Sequence, residues 1–234
     1  MTKPKARVWT GTWWLWLMAA IWVVALYLNF IYTPDARYLL SSERIFYVHM
    51  GSATAMTFVY GVTFVASIGY LWRRGLAWDR WAAASAEVGT LLTTMVLVSG
   101  IIWGRTAWGS WWTWDPTITT TLILWVLFLG YLLLRDWTDD RERRARYAAV
   151  LAIVAFFLVP LDYYAVYFLK SIHPAVITTH GVNLAPSMVL AMLVSMVAFL
   201  FLAAAWILIR LRLLTAEDHL VEIQDRLRTP LDSL

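Results

Sequence analysis

The sequence of 234 residues predicts an all-α integral membrane protein with six transmembrane helices, both termini cytoplasmic, and a tryptophan-rich external loop between helices 3 and 4. Three observations carry this prediction. Hydrophobic residues make up 61% of the chain and charged residues only 15%, far from the balance of soluble globular proteins. Six apolar runs are each long enough to cross roughly 30 Å of hydrocarbon at about 1.5 Å per residue. Fifteen of the nineteen lysines and arginines fall in the termini and in the second and fourth loops, which sets the topology by the positive-inside rule.

The first run, Trp13 to Tyr32, follows Lys3, Lys5 and Arg7 and superficially resembles a secretory signal. It is too long for a short apolar core and has no small-residue cleavage site, so it reads as a retained span. The others are Phe46 to Trp72, Ala82 to Trp103, Thr117 to Leu134, Tyr147 to Leu169 and Ser187 to Ile209. Each is apolar around its circumference. Backbone inside lipid must satisfy its own hydrogen bonds, so all six are expected as helices. The basic loops carry Arg73, Arg74 and Arg80, then Arg135 to Arg146, then Arg210 and Arg212; only Arg37, Arg44, Arg105 and Lys170 remain for the opposite face. The densely charged Arg135 to Arg146 stretch reads as a solvated turn at the lipid headgroups, contacting membrane lipid. Leu220, Ile223, Leu227 and Leu231, three or four apart, predict a short amphipathic helix in the tail. The expected division is a six-helix transmembrane domain over 1–214 and a cytoplasmic tail over 215–234.

Composition also excludes chemistry. With no cysteine there is neither a disulfide framework, a thiolate metal site nor thioether attachment of haem to this chain. Nucleic acid is not an expected partner.

Between Trp103 and Trp114 lie five tryptophans, at 103, 108, 111, 112 and 114, followed at once by Asp115 and Pro116. Tryptophan is ordinarily enriched at headgroup depth, and Trp13, Trp72 or Trp137 fit such a belt. A belt needs one or two rings per span, so this density points to a flat aromatic platform for a flat apolar ligand. If the segment from Trp108 onward is helical, Trp108, Trp111 or Trp112, and Asp115 share one face. Asp115 also reads as the N-cap of the fourth span with proline at its first position.

His49, His173 and His180 map to the same external face as the tryptophans, at span ends or in adjoining loops, whereas His219 falls in the tail. A solitary loop histidine is usually only solvated. Beside an aromatic platform, two imidazoles from different segments suit the axial positions of haem iron. Stacking and burial of a porphyrin supply binding at roughly 25 cal/mol per Å² of apolar surface. Its propionates need cations, for which Arg44, Arg105 and Lys170 are the external candidates. Asp162, two residues after Pro160 inside the fifth span, is costly there unless paired. His173 or a tyrosine hydroxyl such as Tyr163 or Tyr164 is a candidate partner, and a hydrated position near the boundary is the alternative. Glu87 is expected to reach the cytoplasmic interface.

The run Trp108-Gly109-Ser110-Trp111-Trp112-Thr113-Trp114-Asp115, with Ile102-Trp103-Gly104 ahead of it, resembles the WWD motif of haem-handling proteins in cytochrome c maturation. With six spans the chain is most similar to the haem exporter protein C family, from the second span through the sixth. The resemblance implies haem b (iron protoporphyrin IX), bound non-covalently at the outer membrane face between two external histidines flanking the tryptophan loop. His49, in a stretch similar to the family's first ligand segment from Arg44, and His173, in one similar to the second, are the implied axial and metal-ligating pair. The implied cofactor-binding set adds Trp108, Gly109, Trp111, Trp112, Trp114, Asp115, Arg44 and Arg105. His180 stands as a possible replacement for His173. Gly51 stands where the family commonly has proline, and Thr117 where it commonly has arginine.

The implied function is delivery without catalytic turnover: haem is held externally and passed to a periplasmic haem chaperone, alongside ABC transporter subunits and a small single-span partner, in the bacterial inner membrane. Ligands carried on loops suit reversible release. The related WWD-family cytochrome c haem lyase or synthetase is the alternative. Such proteins usually carry more spans, an extra histidine pair inside the membrane and a large external domain, and no histidine here falls in the middle of a span. A b-type cytochrome would likewise need histidines at matched depth inside helices.

Overall fold

The computed structural model describes residues 13–34, 43–174, 176–178, 181–182 and 184–228. Six stretches of helix are long and apolar enough to cross a membrane, and each contains or closely matches one of the apolar runs. The helices are α1 (Trp13–Tyr27, continued by a π-helical turn over Leu28–Tyr32), α2 (Arg44–Arg73), α3 (Leu76–Trp108), α4 (Pro116–Trp137), α5 (Arg141–Phe156), α6 (Leu158–Phe168) and α7 (Pro186–Arg228). A minimal antiparallel hairpin of β1 (Ile177–Thr178) and β2 (Gly181–Val182) precedes α7.

The helix ends follow local chemistry. Asp115 caps α4 by accepting from the Thr117 N–H, with Pro116 at the first position, and Asp140 caps α5 through the Arg143 N–H. α3 stops at Gly109, whose φ of 73° is a left-handed conformation that suits glycine. The fifth span is two helices rather than one. Pro160 has no N–H to offer the Phe156 carbonyl, and the chain breaks at Phe157, the junction of α5 and α6.

Charged residues end the apolar runs without ending the helices. α3 begins six residues before the apolar run at Ala82 because Asp79 is paired, both its oxygens accepting from Arg135 of α4 at 2.6 and 3.0 Å. Glu87 does not extend to the interface alone but receives Nε and Nη2 of Arg210 at 2.5 and 3.1 Å. Nor is the fourth loop only solvated: Asp218 accepts from Arg80 and Arg141 at 2.9 and 2.6 Å. The tail's helix is the direct continuation of α7, past Thr215 to Arg228, rather than a separate element.

Inside the bundle, small residues let the helices approach closely, as expected where lipid removes the ordinary hydrophobic drive. Ala55, Ala84, Ala86, Ala148 and Ala152 are buried around Tyr60 and Phe128, whose rings stack at 3.8 Å. Hydroxyls knit α2 to α3, with Tyr60 to Thr93 at 2.8 Å and Thr63 to Ser85 at 2.9 Å. At Gly51 the Phe199 ring of α7 leaves no room for a Cβ, a reason for glycine there. α1 packs on α7 and is otherwise largely exposed; Asn29 in its π turn donates to Ser195 at 2.9 Å. The alternation of helices brings the start of α2, the end of α3, the start of α4 and the end of α6 to one end of the bundle.

Candidate functional site

At that end an aromatic chain runs from the core to the surface. Phe46 of α2 lies 6.1 Å from buried Trp103 between ring centroids; Trp103 meets Trp108 edge-on at 5.3 Å, and Trp108 meets His173 edge-on at 4.9 Å. The expected helical face from Trp108 to Asp115 is not formed. Gly109 turns the chain, and the segment from there to Asp115 is irregular, so the tryptophans diverge. Trp108 and Trp111 line a cavity; Trp112 and Trp114 do not, and pack edge-on to each other at 5.6 Å with Trp114 76% exposed.

Asp115 is the hub of the loops. Besides capping α4 it accepts from the Ser171 hydroxyl at 3.0 Å, the Ile172 N–H at 2.7 Å and His173 Nδ1 at 3.1 Å. Burial by itself raises its pKa; these donors and the adjacent imidazole outweigh burial and hold it below the ordinary carboxylate value. His173 is shifted down as well, because burial outweighs the attraction of Asp115. The contact is therefore a neutral imidazole donating Nδ1–H to a carboxylate, which leaves Nε2 with its lone pair.

His49 sits in the second turn of α2, not in a loop, with Nδ1 3.1 Å from Ser99 Oγ of α3. The Ser99 hydroxyl has the Met95 and Val96 carbonyls of its own helix within reach at 2.6 and 3.2 Å; with its proton directed there, Ser99 accepts from His49 Nδ1–H and Nε2 is the unprotonated nitrogen. Gly100 lies directly under the His49 ring.

Both histidines line one cavity of about 360 Å³, together with Met50, Gly104, Trp108 and Trp111 and with residues of α4 and α6. That volume falls within the roughly 300–1,000 Å³ of small-molecule sites. Its walls are mainly apolar, with hydroxyls from Ser110, Thr113, Thr117 and Thr121. Asp162 faces it too, and its partners are neither His173 nor a tyrosine: Oδ1 accepts from Thr120 and Thr121 at 2.6 and 2.9 Å.

The expected propionate cations stand elsewhere. The Arg44 guanidinium lies over the Phe30 ring at 5.7 Å; Arg105 donates to the Gly109 carbonyl and lies over Trp111 at 5.8 Å; Lys170 is exposed. No lysine or arginine is among the cavity's described lining residues. His180 lies outside the described residues, as does Arg37. Sequence reasoning missed Ser99, Ser171 and Thr117, the residues that orient both imidazoles and the hub. A serine inside the apolar run of α3 and the Ser171-Ile172-His173 order were the available signals.

A family model for heme exporter protein C matches residues 4–224. The chain is 36% identical over 193 residues to a heme exporter protein C of Bradyrhizobium diazoefficiens, covering 80% of this chain and 73% of the relative. It is 32% identical over 173 residues to one from Escherichia coli K12, covering 74% and 70%. The match spans all six membrane-crossing stretches and the cavity end alike, and the chain belongs to the heme exporter protein C family.

Proposed function

We propose that this protein binds haem b non-covalently between His49 and His173 at the external membrane face and delivers it to a haem chaperone during cytochrome c maturation. The observation that carries the reading is the pair of imidazoles lining one apolar cavity, each with Nδ1 engaged by protein and Nε2 left as the donor nitrogen. That is the arrangement in which an outer partner fixes a ligating histidine's tautomer and raises its basicity. The chemistry of the cavity fits a tetrapyrrole: two neutral nitrogen donors for iron, apolar walls and aromatic edges for the macrocycle. Attachment is non-covalent because the chain has no cysteine. No cation is among the cavity's described lining residues, so Arg105, whose side chain lies over Trp111, would be the residue to meet the propionates.

The two ligands differ in mobility. His49 is fixed on a long helix, whereas His173 rides on a non-helical segment held by Asp115, so release needs only the second to yield. The protein acts as a binding and delivery component rather than an enzyme. The distribution of its basic residues supports cytoplasmic termini and a cavity on the outer side of the inner membrane. ABC transporter subunits and a small single-span protein are the expected assembly partners, in keeping with relatives that are heme exporter proteins.

The test is haem titration of the purified protein by absorbance. A six-coordinate bis-imidazole spectrum is expected, lost in His49→Ala and in His173→Ala and kept in His219→Ala. Retention of that spectrum in His173→Ala refutes the assignment.

A further inference from the structure

The cavity is not closed toward the bilayer. α5 packs along α2, with Phe156 stacked on Phe64 at 4.4 Å, but beyond the break at Phe157 α6 leans on α4 through Asp162, Thr120 and Thr121. Phe58 of α2 and Tyr163 and Tyr167 of α6 consequently line the cavity and are also 61%, 53% and 43% exposed on the outside of the bundle. A second, apolar groove continues from there down α2. Thr57 and Phe58 belong to both, and the groove runs past Gly61 and Val65 to Trp78 and Trp81, at the start of α3 and the opposite end of the bundle. At Gly61 a Cβ would meet nothing within 4 Å, so the missing side chain leaves the groove open.

From these features we infer that the haem of the proposed function reaches the histidine cavity sideways, from within the bilayer, along this face of α2. None of the residues lining the groove, from Thr57 and Phe58 through Val65 and Ala66 to Trp78 and Trp81, is charged. From Thr57 to Ala66 the helix rises about 14 Å at about 1.5 Å per residue, close to half of the hydrocarbon thickness. A flat apolar macrocycle gains by staying out of water and can meet lipid on one face and α2 on the other until Phe58 admits it to the cavity. Trp78 and Trp81 supply aromatic surface where the groove begins, as Tyr163 and Tyr167 do where it enters the cavity. The inference rests on the haem reading above.

The experiment fuses vesicles carrying haem in their lipid with vesicles carrying the apo-protein and follows the rate at which the six-coordinate spectrum forms. Gly61→Phe and Val65→Trp each fill the groove, and each is expected to slow loading at least fivefold while leaving the final haem content unchanged. Gly130→Phe is the matched control, because Gly130 of α4 also has nothing within 4 Å of a Cβ but lies outside the groove; it is expected to load at the wild-type rate. Wild-type rates in both filling variants, or equal slowing in Gly130→Phe, overturn the side route. A wild-type protein whose spectrum at saturation matches that of His49→Ala overturns the underlying haem reading instead.

Discussion

His173 Nδ1 and Asp115 Oδ1 lie 3.1 Å apart, and the same carboxylate caps α4 and holds the Ile172 N–H. One side chain thus joins the tryptophan loop, a helix start and a proposed iron ligand. Asp115→Asn preserves the cap, since asparagine is an equally good N-cap, but removes the charge that makes His173 a stronger donor. Loss of such an outer partner typically costs 10–100-fold in metal affinity. Haem titration should show a weakening of that order, with a modest fall in thermal midpoint because the amide NH2 replaces the oxygen that accepts from the Ile172 N–H. Asp115→Ala should add a stability loss of about 1 kcal/mol from the cap.

The same pair sets the acid response. Burial lowers the pKa of His173 below its ordinary 6.5, so the unfolded chain binds a proton there at higher pH than the folded one. Stability from this group is therefore lost as pH falls from 6.5 toward the folded value, while Asp115, also depressed, withdraws its contribution only at lower pH still. Iron competes with the same proton for Nε2. A pH titration of the haem complex should keep the six-coordinate spectrum at neutrality and lose it with a midpoint below 6.5; a midpoint above 6.5 contradicts a neutral His173.

On the other side of the cavity, Ser99 performs for His49 what Asp115 performs for His173. Ser99→Ala removes a neutral hydrogen bond, so its effect should be milder, roughly 1 kcal/mol or about fivefold in haem affinity. Because the Ser99 hydroxyl otherwise bonds only its own helix at Met95 and Val96, melting temperature should barely move. An unchanged affinity would show that His49 does not ligate through Nε2.

The spans were legible because hydropathy is a local property. The ion pairs were not, because Asp79 finds Arg135 and Glu87 finds Arg210 only once helices distant in sequence lie side by side. His49, His173 and Asp115 stood out as residue types in a recognisable order. The splitting of the tryptophans did not, although Gly109 after Arg105 and Trp108 carried the mark of a helix end, and reading it would have removed the supposed helical face. For Asp162 the sequence offered an imidazole, a phenol or a hydrated position near the boundary, whereas its partners are two threonines one turn into α4.

The five tryptophans should separate by role under alanine substitution. Trp103 is 9% exposed and packed between Phe46 and Trp108, so Trp103→Ala should cost about 3–5 kcal/mol and reduce the amount of folded protein. Trp111 and Trp114 are 60% and 76% exposed, so their loss should leave abundance nearly unchanged while impairing the proposed transfer to a chaperone. Measuring membrane abundance beside chaperone loading distinguishes these. A Trp111→Ala, Trp114→Ala double variant that transfers at the wild-type rate would reduce the exposed rings to an interfacial belt.

Far from the cavity, Arg135 and Asp79 form a two-pronged pair, with side chains 15% and 6% exposed, that ties α4 to α3. Removing one member of a buried pair leaves an uncompensated charge and typically costs about 3–5 kcal/mol, whereas replacing both costs far less. Arg135→Leu alone should therefore lower the thermal midpoint sharply, and adding Asp79→Leu should recover most of the loss. Haem affinity of the surviving folded fraction should not change in either variant, because the pair is at the opposite end of α3 from Trp108. If the double variant is as unstable as the single one, the pair's value lies in its specific hydrogen bonds rather than in the cost of an orphaned charge.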